Sequence, residues 1–226
     1  MPYFDPWNES AINLDGLSYE EWLDFVFDHP SPEPVEAVAR GEFPDEYPHV
    51  ADSWWEQSEP DYKGDPTRLM GFATRLFNEP RGLMDRYTRG QIREGLWFLP
   101  RDLNDWLWDC EAVSRDACKS CIGAMYNLFD RFFVDEQLGD TAGMWWDFFR
   151  AFGERPDPDV VSFMFETLCK LLVHPSLVCC GAALHGLGHL PHPAKEAPIR
   201  AFLARRTDLD NDRRRYAEAA IAGEVL

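Results

Sequence analysis

The sequence predicts an all-α protein, a stack of antiparallel helical hairpins with an irregular acidic insertion near the N-terminus. Three observations predict it. From Ser18 onward, apolar residues recur three and four apart in most segments, the period of one helix face. Capping residues such as Ser18, Thr88, Ser114 and Ser176 stand just ahead of these segments, and prolines follow several of them. No segment offers the strict alternation and turn pairs that a sheet requires. The 226 residues read as a single domain. Residues 18–64 supply an N-terminal helix and the acidic segment, and residues 65–226 supply the helical body.

Residues 1–17 read as irregular, with Pro2, Pro6 and Gly16. The first helix spans Ser18 to His29. Ser18 and Glu21 form a capping box, Trp22, Phe25 and Val26 share one face, and Pro30, Pro32 and Pro34 end it. Residues 30–64 are rich in Pro, Glu and Asp, with a short helix over Val35–Arg40. Trp54 and Trp55 sit there beside Asp52, Glu56 and Glu59. Packing on the core is the first reading of that pair, and a binding hot spot is the second. Pro66 then opens a helix carrying Leu69, Met70, Ala73, Leu76 and Phe77. Thr88 and Gln91 form a second capping box before Ile92, Leu96 and Leu99, and a separate short helix runs through Leu103, Trp106 and Leu107. Ser114 starts a long helix reaching Phe133. An intervening helix carries Met144, Trp145, Phe148 and Phe149.

The segment after Asp159, VVSFMFETLCKLLVHPSLVCCGAALHGLGHL, reads as two apolar helices joined at His174-Pro175-Ser176. Pro175 stops the first, because it lacks an N–H and clashes with the preceding turn. Ser176 caps the second. Val178, Ala182-Ala183-Leu184 and Leu187-Gly188 give this hairpin a pattern that resembles a HEAT-type helical repeat. Ser176 and Cys179 stand where that family usually has Asp and Arg. The run VSRDACKSCIGAMYNLF, from Val113, echoes it. The resemblance implies a HEAT-like α-solenoid. Two more helices follow Pro193, around Ile199–Leu203 and Tyr216–Ile221, and the final Val225-Leu226 covers the end of the stack.

The net charge of −18 disfavours phosphate backbones and anionic membranes, so neither nucleic acid nor membrane is an expected partner. A basic protein is the partner that such a field attracts. No run approaches the ~20 apolar residues that span a bilayer. MPYFDPWNES has neither a basic nor an apolar leader region, so a cytoplasmic location is expected. The six cysteines mostly fall inside apolar helical patterns and read as buried thiols.

Three patterns could carry chemistry. His185 and His189 stand four apart, so both can face one side of a helix and bind zinc, with His192, Cys179 or Cys180 completing a site. HGLGH lacks the Glu of HExxH, and packing histidines are the first reading. Cys118 and Cys121 form a CxxC without the preceding strand of redox proteins, so both face the core more simply. Asp109 with Glu111, and Asp135 with Glu136, are carboxylate pairs of a kind expected at this acidity. Phosphate-binding glycine loops and the GxSxG elbow are absent from the sequence. No cofactor and no enzymatic activity are expected. Small acidic HEAT-like chains resemble, in kind, bacterial immunity proteins that block a basic toxin. The resemblance implies a non-enzymatic inhibitor. The candidate partner-binding residues are Trp54, Trp55, Glu56, Glu59, Asp105, Asp109, Glu111, Trp145 and Trp146. A metal-dependent enzyme built on His185 and His189, or a structural adaptor, is the alternative.

Overall fold

The computed structural model describes residues 12–42, 53–55, 62–108, 112–147 and 157–225, and side chains are not described at 62 and 101–108. It is mostly helical. Helix α1 (Tyr19–Phe27) starts as the sequence indicates: Ser18 N–H donates to Glu21 Oε2 at 2.7 Å, and Glu21 N–H donates to Ser18 Oγ at 3.3 Å. Its apolar face is buried through Trp22, Phe25, Val26 and Phe27. Helix α2 (Glu33–Ala39) follows the prolines. One departure from pure helix lies beside α1. Strands β1 (Ile12–Asn13) and β2 (Tyr62–Lys63) form a two-residue parallel pair, with Ile12 opposite Tyr62. A pair this short carries no alternating pattern to detect. Asp15 Oδ1 accepts the Asp65 N–H at 2.6 Å, and Arg68 donates to the Leu17 carbonyl, so side chains secure the pair.

Helix α3 (Pro66–Asn78) has Asp65 as its cap and Pro66 in its first turn. A 3₁₀ turn and the short α4 (Leu83–Arg86) lead into α5 (Arg89–Trp108). The Thr88–Gln91 box opens α5 as expected. The two helices expected over residues 92–107 are one, because Pro100 lies inside the helix without ending it. A proline there removes one helical hydrogen bond and favours a kink. Contacts of α5 with α1 and α2 hold the rest of it in place.

Helix α6 (Arg115–Leu128) is capped by Ser114 and runs into a π-helical turn, Phe129–Phe133, where Val134 N–H reaches back five residues to Phe129 O. The π turn turns Phe129, Phe132 and Phe133 all inward, and each is 3% exposed or less. Leu138 and Gly139 then adopt positive φ. A Cβ at Gly139 would lie 2.6 Å from the Val38 carbonyl, so the chain passes close to α2 only with glycine there. The expected helix through Trp145 is instead the short α7 (Thr141–Met144) followed by a 3₁₀ turn, Trp145–Asp147. Phe148 and Phe149 lie outside the described residues.

The two helices expected on either side of His174-Pro175-Ser176 are α8 (Pro158–Leu172) and α9 (Leu177–His189), with Ser176 Oγ accepting the Val178 N–H. Val113 precedes its capping serine, whereas Val178 follows its own, so the two echoing segments do not share one register. Helices α10 (Glu196–Arg205) and α11 (Asn211–Ala222) complete the chain, and Gly223 stops α11 at φ 77°. Helix α3 packs on α6, α6 on α8, α8 on α9, and α9 on α11. One apolar cluster extends through these contacts from Leu14 to Val225.

Candidate functional site

The tryptophans expected to face a partner point into the core. Trp54, Trp55, Trp145 and Trp146 are 9%, 6%, 0% and 2% exposed. Trp54 lies flat on His29, with ring centroids 3.5 Å apart. Trp145 meets Phe77 and Phe133 edge to face, and Trp146 stacks on Phe129. Large indoles with this much apolar area are stabilised more by close packing than by water, which is why the helical pattern draws them inside. Glu56, Glu59, Asp109 and Glu111 lie outside the described residues. Asp105 falls in α5 where side chains are not described.

The paired imidazoles acquire a third member that the sequence did not suggest. The 3₁₀ turn brings Asp147 against α9. Its Oδ1 is 2.6 Å from His185 Nε2 and 3.3 Å from His189 Nε2. The donor atoms of all three residues lie within 4.8 Å of one another. Helical spacing explains the two histidines: residues four apart share a face. Glycine explains the approach of Asp147. A Cβ at Gly186 would lie 2.7 Å from Leu168 Cδ2 and 2.8 Å from Trp146 Cγ. Without one, α9 closes on the turn that Trp145 and Trp146 anchor. The tryptophans therefore fix the backbone that delivers Asp147.

On its other edge, His185 Nδ1 is 2.5 Å from the Tyr216 hydroxyl of α11. A neutral His185 satisfies both contacts when Tyr216 O–H donates to Nδ1 and Nε2–H donates to Asp147. Burial, and then the charge of Asp147, push the Tyr216 phenol up to about 12, so it stays protonated. The His185 side chain is 4% exposed, Asp147 15% and His189 30%, so the cluster meets solvent on the His189 side. Tyr216 also forms one wall of a mainly apolar cavity of ≈ 260 Å³, lined among others by Leu177, Cys180, Leu184, Phe202 and Leu209.

The other partners considered for the histidines lie elsewhere. His192 stacks on Phe165 at 3.8 Å, and its Nδ1 accepts the Ala194 N–H. Cys180 Sγ sits 3.2 Å from the His174 carbonyl, and Cys179 Sγ faces Phe129 O. The thiols behave as core residues. Burial pushes Cys121 up to about 12 and Cys179 up to about 11, so both stay protonated thiols at neutral pH. Asp135 is exposed, whereas its neighbour Glu136 is bound to Arg89.

Many of the described arginines are engaged within the molecule. Arg40, Arg86, Arg89, Arg93 and Arg115 pair with carboxylates. Arg131 and Arg205 donate to the Asn78 and Leu172 carbonyls. Arg213 and Arg215, in the basic run of α11, pair with Asp210 and Asp212. Glu20, Glu21, Asp28, Asp116, Asp130, Asp135, Glu166 and Glu218 are exposed. Among the described residues, no helix is long and apolar enough to cross a membrane. No family model, curated protein or solved structure matches the chain.

Proposed function

We propose that the protein is a non-enzymatic binding protein whose acidic surface captures a basic protein, as an immunity protein blocks a basic toxin or enzyme. One observation carries the reading: a net charge of −18 in a chain whose described arginines are largely turned to its own carboxylates and carbonyls. Among the described residues, exposed carboxylates on α1, α6, α8 and α11 contribute to that excess. Such a field speeds the approach of a cationic partner and repels anionic ones. The succession of contacts from α3 through α6, α8 and α9 is compatible with a HEAT-like stack, which offers a partner a broad face. The buried tryptophans leave recognition to the charged surface and to the apolar stems between the charges.

The test is to mix the purified protein with the product of the adjacent gene and follow binding by calorimetry over a salt series. A one-to-one complex is expected, with affinity falling at least about tenfold from low to high salt as the charges are screened. Absence of a complex, or binding indifferent to salt, would overturn the reading.

A further inference from the structure

The cluster on α9 has a second use, independent of any partner surface. We propose that Asp147, His185 and His189 form a binding site for one divalent first-row transition cation, zinc(II) or an ion of similar softness.

Three features support it. First, two imidazole nitrogens converge on a single carboxylate oxygen, at 2.6 and 3.3 Å, with all three donor atoms inside 4.8 Å. Since zinc binds nitrogen and carboxylate oxygen at about 2.0–2.2 Å, a cation would replace the shared hydrogen bond by opening the Asp147–His185 contact and drawing the more widely spaced donors together. Second, the donor set selects the ion. Two nitrogens and one oxygen suit zinc and its neighbours, whereas magnesium and calcium prefer oxygen alone. Third, the support behind the ligands is present. Tyr216 holds the far edge of the His185 ring. When a cation takes Nε2, the ring's proton resides on Nδ1 and is donated to the Tyr216 oxygen, the outer hydrogen bond typical of metal-bound histidine. Trp145 and Trp146 fix the backbone of Asp147, and the greater exposure of His189 leaves a path for the ion and room for water ligands.

The proposal differs from the site expected from sequence. Neither Cys179, Cys180 nor His192 takes part, and a carboxylate 38 residues before His185 does. A bound ion would tie the 3₁₀ turn to α9 and, through Tyr216, to α11.

The experiment titrates cobalt(II) and then zinc(II) into chelator-treated full-length protein. One equivalent of cobalt is expected to bind, giving visible ligand-field absorption that zinc abolishes and a tenfold excess of magnesium does not. His189→Ala and Asp147→Asn should each weaken binding at least about tenfold, and Tyr216→Phe by about tenfold with all three ligands kept. Unfolding of each metal-free variant is followed in parallel, so that lost binding is attributed only to folded protein. His189 is the ligand of choice, because it is the most exposed of the three. His192→Ala should leave the titration unchanged. Failure of the folded wild-type protein to bind one equivalent would overturn the proposal. So would unchanged affinity in a folded His189→Ala protein, or loss of binding in His192→Ala.

Discussion

His29 lies against Trp54 with its Nε2 2.7 Å from the Phe25 carbonyl, and burial holds its pKa below the ordinary 6.5. The unfolded chain takes up a proton near 6.5, and the folded chain does so only at lower pH. Protons therefore favour unfolding. Stability should fall as pH drops below about 6.5, and His29→Gln should flatten that part of the curve. Chemical denaturation between pH 7 and 5 checks this, and a flat wild-type curve would refute it. Residues with local partners were legible in the sequence. Ser18 with Glu21, and Thr88 with Gln91, need only a neighbour three positions away, and both boxes form. Asp147 was not legible. Its role depends on a turn 38 residues from His185, which no periodicity reports. Trp145 and Trp146, candidate partner-binding residues by sequence, lie buried, because an aromatic beside acids looks alike in sequence whether its ring turns in or out.

At the scale of the element, α9 offers a matched pair of substitutions. Gly186→Ala places a methyl 2.7 Å from Leu168 and 2.8 Å from Trp146, whereas the same change at Gly181 meets nothing within 4 Å. The first should cost about 1–3 kcal/mol by overpacking. The second should be neutral or stabilising by up to about 1 kcal/mol, since alanine favours the helix. Urea midpoints of the two variants decide it, and equal midpoints would contradict the close approach of α9 to the Trp146 turn. Most helices were legible, because caps and apolar spacing are local properties. Two features were not. The helix α5 runs through Pro100, since packing on α1 and α2 compensates for a missing hydrogen bond. The chain from Phe129 to Asp147 changes helical type twice, where the tight fit of large aromatics outweighs regular hydrogen bonding.

For the whole molecule, charge is the dominant unbalanced quantity. Exposed ion pairs such as Arg213–Asp210 contribute little, and salt weakens them. Repulsion among a net −18 acts over the whole surface, and salt weakens that too. The second effect should win. Raising NaCl from about 0.02 to 0.2 M should lift the midpoint of thermal unfolding by about 2–4 °C, or ~1 kcal/mol. A lower midpoint in salt would mean that the ion pairs dominate. The helical class was legible because it follows from period and composition, whereas the order of packing, α3 to α6 to α8 to α9, depends on contacts between distant segments. The desolvated thiols have a practical use. Cys169 is partly open, while Cys118, Cys121, Cys179 and Cys180 are sealed in the interior. Alkylation rates at these five positions would time how often each region of the native protein breathes, a clock already written into the chain.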